Sequence, residues 1–175
     1  MAPKRLASPF EDVGLYELAA HRDDRGELVE LYRRGPADPP FVQGNFTRSR
    51  AGVLRGLHFQ LTRPQGKLVT VVRGEVFDVV VDVRRGSPTF RRWFGAYLSA
   101  ANRQQLWCPP GFAHGFVALT DADVIYQMTA EYAPEDQRAI RWDDPELAIR
   151  WPIEKPIVSP RDAEAPLLSA ADLPR

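Results

Sequence analysis

The sequence lacks the features that mark a secreted, membrane or nucleic-acid-binding protein. Its 175 residues include one cysteine, Cys108, so no disulfide forms within the chain, and a cytoplasmic protein is expected. No apolar run approaches the roughly 20 residues of a membrane span, and no apolar segment of a secretory signal follows the charged N-terminus. Lysine plus arginine and aspartate plus glutamate both number 23, which leaves no overall positive field for nucleic acid.

Long amphipathic helices are also missing, because no long stretch repeats apolar residues every 3.6 positions and 16 prolines divide the chain. The strong signals are short runs of strand-forming residues separated by turns. Strands are predicted at 13–18, 28–32, 68–73, 75–83, 94–98, 105–108, 115–119 and 123–129, with helical turns near 134–137 and 169–172. This pattern predicts one all-β domain, a sandwich or closed barrel, wrapped by a C-terminal tail of about residues 133–175.

Two fragments about fifty residues apart are predicted to form one site. One contains a glycine, five residues and His58, and the other is Pro109-x-Gly-x-x-His114. These spacings resemble the two motifs of the cupin family of jelly-roll β-barrels. Where metal-binding cupins place a second histidine and a carboxylate, this chain has Gln60 and Lys67, which are poor metal ligands. The resemblance therefore implies a cupin-like jelly roll that uses acid–base chemistry without a metal.

Longer strings narrow the resemblance. They are His21-x-Asp23-x-Arg25-Gly26, Gln43-x-Asn45, Gly52-Val-Leu-Arg-Gly-Leu-His58-Phe-Gln60, Val81-Asp-Val-Arg-x-Gly86-Ser-Pro-Thr-Phe90, Pro110-Gly-Phe-Ala-His114-Gly-Phe116 and Trp142-Asp-Asp-Pro145 with Trp151-Pro152. From about residue 10 to 168 the chain resembles the dTDP-4-dehydrorhamnose 3,5-epimerase family. The resemblance implies an isomerase of deoxysugar biosynthesis. Such an enzyme inverts C3 and C5 of a dTDP-4-keto-6-deoxyhexose without metal or organic cofactor.

The resemblance also implies a catalytic base. Removing a hydrogen next to the C4 ketone gives an enolate, so the reaction needs a base, a donor for the oxyanion and an acid on the opposite face. His58 is the implied base, because an ordinary imidazole is largely unprotonated at neutral pH. Asp162, in the matching segment Ser-Pro-Arg-Asp, is implied to orient the His58 ring. By spacing alone, a structural histidine explains His58 equally well.

Lys67 and Tyr126 complete the implied catalytic group. Lys67 would stabilise the C4 enolate, although a solvated lysine at a strand end is the common alternative. Tyr126 would return a proton opposite His58, since a phenol is protonated at neutral pH. Tyr132 is the rival donor, and the two tyrosines share a face only if their strand continues unbroken. A strand tyrosine that only packs is the alternative for both.

Arginines are the implied contacts of the diphosphate, because a guanidinium donates two parallel hydrogen bonds. Arg55, Arg161 and Arg25 are the candidates. Arg55 precedes His58 by three residues, so both face one pocket only if the strand bulges or bends at Gly56. The alternative for each arginine is a solvated position on the protein surface, without a role in binding.

Further substrate contacts are implied along the nucleotide and the sugar. They are Gln43, Gly44, Asn45, His114, Tyr132 and Gln137. The resemblance also implies a homodimer, in which an N-terminal arm of about residues 1–35 reaches the partner's pocket and carries Arg25 and Glu30 there. For His114, a structural role in the barrel is the alternative.

Two departures from the family pattern affect recognition of the substrate. Glu27-Leu28 stands where the family commonly has Phe-Phe, and Gln137-Arg138 stands where it has Glu-Arg. A single-centre epimerase or ketoisomerase of a related keto-sugar therefore remains an alternative, as does a non-catalytic sugar-binding cupin. A metal-dependent cupin would need a histidine at position 60 and a carboxylate near 67.

Overall fold

A computed structural model describes residues 3–35 and 39–174. Within these ranges the chain forms thirteen strands, one short α-helix and one 3₁₀ turn, Leu168–Ala170. The strands are β1 Lys4–Leu6, β2 Gly14–Glu17, β3 Ala20–Asp23, β4 Gly26–Val29, β5 Gln43–Ser49, β6 Leu54–Gln60, β7 Lys67–Arg73, β8 Glu75–Asp82, β9 Trp93–Ser99, β10 Gln104–Cys108, β11 Phe112–Ala118, β12 Ala122–Met128 and β13 Gln137–Ala139, and the helix is α1 Pro160–Ala163. Met1, Ala2 and Arg175, at the ends of the predicted arm and tail, lie outside the described residues.

Two antiparallel sheets face each other. One has six strands in the order β1-β2-β10-β7-β12-β5, and the other has five in the order β13-β6-β11-β8-β9. The strands β3 and β4 form a separate two-stranded hairpin. Consecutive strands of the chain repeatedly cross from one sheet to the other, as in a jelly roll. The predicted all-β, cupin-like fold is therefore confirmed.

The alternating pattern of the strands builds two apolar layers. On β8, Val76 and Val80 pack between the sheets, whereas Val79 and Val81 belong to a second cluster. A strand points successive side chains to opposite faces, so this continuous apolar run indicates a sheet that is covered on both sides.

The C-terminal tail covers that second face. It contributes buried apolar side chains at Ile140, Leu147, Leu168 and Leu173. Full burial of each such side chain is worth about 1.5–3 kcal/mol relative to exposure. The tail also adds β13 beside β6 as the edge of the five-stranded sheet and carries α1 back towards the barrel. It therefore holds part of the site as well as part of the core.

Several predicted boundaries need correction. The helical turn expected near 134–137 is a single hydrogen-bonded turn over 134–136, in which the Gln137 amide donates to the Ala133 carbonyl, and it leads into β13, whose pairing with β6 is not visible in local sequence. The predicted strand 28–32 is shifted to Gly26–Val29. The prediction missed five strands, namely β1, β3, β5, β6 and β13. The turn predicted near 169–172 corresponds to the 3₁₀ turn Leu168–Ala170.

Across the described parts of the chain, no helix has the length and apolar character that crossing a membrane requires.

Candidate active site

A cavity of about 560 Å³ opens at the barrel end formed by β5, β6, β7, β11 and β12. Ten of the predicted site residues line it: Asn45, Arg55, His58, Lys67, His114, Tyr126, Tyr132, Gln137, Arg161 and Asp162. Residues separated by more than a hundred positions in the chain thus share one concave surface.

A bulge in β6 brings Arg55 and His58 to the same cavity. His58 pairs with His114 and Arg55 with Phe116, so between these pairs two residues of β6 oppose one of β11. Gly56 lies within the bulge at a φ of +123°, and a Cβ there would lie 2.5 Å from the Cα of Gly115. Only glycine fits this close approach. The predicted bend at Gly56 is present.

His58 and Asp162 form a hydrogen-bonded pair at the cavity wall. The ring Nε2 lies 2.7 Å from Oδ1 of Asp162. The His58 side chain is 27% exposed, and that of Asp162 is 6% exposed. With Asp162 ionised, Nε2 carries the proton that bonds to it, and Nδ1 is left as the basic nitrogen.

Local structure of the tail fixes Asp162. Ser159 caps α1 and accepts a hydrogen bond from the Asp162 amide, and Pro160 occupies the first helical turn. Burial acts to raise the pKa of Asp162. Hydrogen bonds from His58, the Gly56 amide and Ser159 outweigh burial and hold that pKa below its usual value. Asp162 therefore stays ionised and orients the imidazole.

Lys67 begins β7 and is almost fully buried, with 8% of its surface exposed. Its Nζ donates to the backbone oxygen of His58 at 3.3 Å. Burial lowers the pKa of Lys67 from its ordinary value, and the nearby Cys108 and Asp78 act to raise it. Lys67 is thus an anchored donor inside the cavity, unlike a solvated strand-end lysine.

The two tyrosines occupy different settings. Tyr126 lies on β12, and its hydroxyl is 3.1 Å from Oγ1 of Thr47 on β5. Tyr132 lies beyond the end of β12, is 46% exposed and donates its hydroxyl to Gln137 at 2.7 Å. Because the strand does not continue to Tyr132, the shared-face condition fails. Of the two tyrosines, Tyr126 is the one whose side chain is fixed within a strand of the barrel.

The predicted nucleotide-side residues on β5 are connected to this region. Gln43 accepts a hydrogen bond from the Tyr132 amide at 2.7 Å and donates to Asn45 at 3.1 Å. Gly44 lies between them on the same strand, with open space where a side chain would stand. Gln43 and Gly44 do not line the cavity themselves: Gln43 is bonded to Asn45 and Tyr132, which do, and position 44 faces the opposite side of β5.

His114 is deeper than His58 and is bound to a carboxylate that sequence reasoning missed. Its Nε2 lies 3.0 and 2.9 Å from the two oxygens of Asp78, which is fully buried on β8. The bond to Asp78 gives His114 a structural role, and because His114 also lines the cavity its contact with the substrate stays a prediction.

Two arginines give the cavity entrance a positive charge. Arg55 is exposed and donates to the Ser49 hydroxyl at 3.0 Å. Arg161 is exposed on α1, and within residues 3–35 and 39–174 neither arginine forms an ion pair. Unpaired guanidinium groups at a concave surface can bind an anionic group such as a diphosphate.

Arg25 and Glu30 do not reach this cavity within one chain. Arg25 is exposed beside the β3–β4 hairpin and forms an ion pair with Asp23. Glu30 forms an ion pair with Arg33 and lines a separate groove near the N-terminus. Their predicted role therefore requires a second copy of the chain.

The position of the second cupin histidine is occupied by a structural amide. Gln60 is buried; its amide donates to the carbonyl of Arg63 at 2.8 Å, and its oxygen accepts from the Ala133 amide at 2.9 Å. In the described part of the chain, no group of three histidine, cysteine, aspartate or glutamate residues could hold a metal ion.

Sequence reasoning also missed Thr47, Gln65, Phe116, Met128 and Ser159, which line the cavity. Strand parity could have found Thr47, because it lies two residues from Asn45 on β5 and so shares its face. Ser159 could have been found as the serine before a proline at a helix start.

Comparison with known proteins agrees with this geometry. The model of the family described as dTDP-4-dehydrorhamnose 3,5-epimerase matches residues 7–170. An enzyme of that name from Pseudomonas aeruginosa is 48% identical and covers 98% of each chain.

Two solved structures extend the comparison. A dTDP-6-deoxy-D-glucose-3,5-epimerase from Legionella pneumophila, in complex with dTDP-4-keto-L-rhamnose, superposes with a TM-score of 0.95 at 45% identity, covering 99% of this chain and 98% of that one. A 3'-monoepimerase from Streptomyces bikiniensis, in complex with dTDP-quinovose, has a TM-score of 0.89 at 36% identity, covering 95% and 91%. The chain belongs to the dTDP-4-dehydrorhamnose 3,5-epimerase family.

Proposed function

We propose that this protein is an isomerase that inverts C3 and C5 of a dTDP-4-keto-6-deoxyhexose in deoxysugar biosynthesis, without a cofactor. The observation that carries the proposal is the carboxylate-oriented imidazole of His58, which shares one cavity with a phenol and a buried ammonium. A pure binding site needs no such base. The names and similarity of the relatives support the same reaction.

In the proposed mechanism, His58 removes the hydrogen from a carbon next to the C4 ketone. Asp162 keeps the proton of the resting ring on Nε2 and stabilises the imidazolium that forms when Nδ1 takes the substrate proton. The electrons of the broken C–H bond move into the C4 oxygen as an enolate.

Lys67 stabilises that enolate oxygen. Its ammonium is held inside the barrel by the His58 carbonyl, so little reorganisation is needed when negative charge develops. A buried donor interacts with the oxyanion more strongly than a solvated lysine does, because water screens it less.

Tyr126 then donates a proton to the opposite face of the carbon. Thr47 supports this role, because its hydroxyl can donate to the phenol oxygen and leave the phenol proton free to point at the sugar. His58 then releases its proton to solvent and Tyr126 takes one up from solvent, after which the same steps at the second carbon complete the double inversion.

Binding is proposed to use the charges and amides around the entrance. Arg55 and Arg161 would bind the diphosphate, with His114 on the sugar or diphosphate. The nucleotide would contact Gln43, Gly44, Asn45, Tyr132 and Gln137.

A homodimer is part of the proposal. Arg25 and Glu30 of one subunit would complete the partner's pocket, which accounts for their absence from the lining of the His58 cavity within one chain. The cytoplasm is the proposed compartment, consistent with a buried, unpaired Cys108.

Proton NMR in heavy water tests the reaction. The purified protein is incubated with dTDP-4-keto-6-deoxyglucose, and deuterium is followed at C3 and C5 of the sugar. Exchange and inversion at both positions are expected. Absence of exchange at both, with binding still visible as line broadening, would overturn the proposal in favour of a sugar-binding protein.

A single-centre epimerase is the second candidate. It is favoured by the similarity to the Streptomyces bikiniensis 3'-monoepimerase across 95% of this chain. The substitutions Glu27-Leu28 and Gln137-Arg138 also lie in segments assigned to substrate recognition. In the same NMR experiment, deuterium at one carbon alone identifies this activity.

A further inference from the structure

Asp78 is a carboxylate at the centre of the barrel with no exposed surface. It lies on β8 between Val76 and Val80, which both belong to the apolar cluster between the sheets. A carboxylate buried among valines is destabilising unless a donor or a cation compensates its charge. The proposed mechanism gives it no role.

The compensating donor is His114. On the antiparallel neighbour β11, Phe116 is the register partner of Asp78, and His114 lies two residues away on the same face. Its Nε2 is within 3.0 Å of both carboxylate oxygens. With the carboxylate ionised, Nε2 carries the proton, so the tautomer that His114 presents to the cavity is set by Asp78.

The Lys67 ammonium is a cation that interacts with the Asp78 carboxylate. The ionisable groups around the Lys67 ammonium come from every strand that packs near it: His58 on β6, Asp78 on β8, Cys108 on β10, His114 on β11 and Tyr126 on β12. Arg55, Arg161 and Asp162 are the other charged groups of the cavity, and Asp162 is engaged by His58.

Among these groups, the two that favour the charged form of Lys67 are Cys108 and Asp78. Burial raises the pKa of the Cys108 thiol to about 12, so this thiol is neutral at physiological pH. Of the two, Asp78 is therefore the group that acts against burial to raise the pKa of Lys67.

We propose that Asp78 is a positioning residue of the epimerase, whose buried carboxylate fixes the tautomer of His114 and keeps the Lys67 ammonium charged at the enolate oxygen. This inference rests on the proposed function. Asp78 acts through two residues that line the cavity and does not touch the substrate itself.

The variant Asp78→Asn tests the inference, because it keeps the shape of the side chain and removes its charge. We expect kcat to fall on the order of tenfold to a hundredfold, as for loss of a residue behind an active-site group, with KM within about threefold of the parent value. The upper-pH limb of the kcat profile should move to lower pH, since the ammonium loses the charge that keeps it protonated.

Asp82→Asn is the matched control. Asp82 is equally buried on the same strand, but it bonds to Arg84, Ser87 and Thr89 and lines no part of the cavity. This control should lose thermal stability while keeping the parent kcat and pH profile. If Asp78→Asn keeps the parent kcat and pH profile, or if both variants lose activity in proportion to stability, the inference is overturned.

A measurement on the parent protein covers the case in which Asp78→Asn does not fold. Two-dimensional NMR of protein with ¹⁵N-labelled histidine should find Nε2 of His114 protonated throughout the pH range of activity. An unprotonated Nε2 would overturn the inference. An inactive parent enzyme would instead count against the proposed function, so the two failures are distinguishable.

Discussion

The molecule carries two histidine–aspartate pairs on neighbouring strands, and they differ in depth. His58 and His114 are register partners on β6 and β11, and each uses Nε2 to bind a carboxylate. The side chains of His58 and Asp162 are 27% and 6% exposed, whereas those of His114 and Asp78 are 8% and 0% exposed. In the proposed mechanism, the more exposed pair supplies the base, and the buried pair keeps negative charge inside the barrel.

The two pairs are also built differently. Asp78 and His114 come from adjacent central strands of one sheet, so the barrel itself fixes their separation. Asp162 comes from α1 in the C-terminal tail and reaches His58 only because the tail packs against the five-stranded sheet. The reactive pair therefore depends on tail docking, and the deep pair does not.

Loss of the base at the cavity wall should have the largest effect. We expect His58→Ala to reduce kcat by about a thousandfold or more, because general-base catalysis contributes about 10²–10⁴-fold. The fold should persist, since His58 is part-exposed and outside both apolar clusters. Turnover is measured by NMR and stability by thermal unfolding. Near-parent turnover would remove His58 from the mechanism.

Loss of the acid Tyr126 should affect inversion and hydrogen exchange differently, whereas loss of the base His58 should stop both. We expect Tyr126→Phe to slow net inversion on the order of a hundredfold, because the proton donor of the second face is gone. Exchange of the substrate hydrogen with heavy water should fall much less, since His58 still forms the enolate. If exchange and inversion fall equally, Tyr126 only positions the substrate.

Loss of the orienting carboxylate should weaken the pair at the cavity wall without removing its base. We expect Asp162→Asn to lower kcat on the order of a hundredfold, because the amide no longer fixes the tautomer or stabilises the imidazolium. A kcat close to the parent value would contradict the proposed orientation of His58.

The same variant should change the pH dependence of stability. The pKa of Asp162 is lower in the folded protein than in the unfolded chain, where an ordinary value of about 3.9 applies. Its contribution is therefore fully present above that value and is lost as pH falls through the folded-state pKa. In acid titrations of the free energy of unfolding, Asp162→Asn should lose less stability than the parent between neutral and acidic pH. An unchanged slope would contradict this.

Loss of an entrance arginine should have the smallest effect on chemistry. We expect Arg161→Ala and Arg55→Ala each to raise KM about tenfold with little change in kcat, as when binding to a diphosphate is lost equally in the ground and transition states. Arg150→Ala is the control, because Arg150 is exposed and outside the cavity. An equal rise in KM for the control would remove the diphosphate assignment.

The sequence predicted the all-β fold and the central strands, because β7, β8, β10 and β12 are runs of strand-forming residues with clear turns between them. The edge strands β1, β5 and β13 were missed for a physical reason. β5 alternates between half-buried and exposed positions and includes polar residues, and β13 exists only through its pairing with β6. Pairing of this kind is decided by tertiary contacts rather than local preference.

The sequence predicted which residues form the candidate site, but it did not predict all the contacts between them. Motif spacing and family resemblance identified His58, Lys67, Tyr126 and Asp162, and the structure places all four around one cavity. Asp78 was not predicted, because an aspartate inside an apolar strand has no local signal for its partner. Its contact with His114 depends on the register between β8 and β11, which only the fold specifies.

The most direct test of the account compares the two pairs in one exchange experiment. Deuterium uptake at C3 and C5 of dTDP-4-keto-6-deoxyglucose is measured in heavy water with His58→Asn and with His114→Asn. We expect no detectable uptake with His58→Asn and slowed but measurable uptake with His114→Asn. Uptake that persists with His58→Asn and disappears with His114→Asn would contradict the assignment of the base.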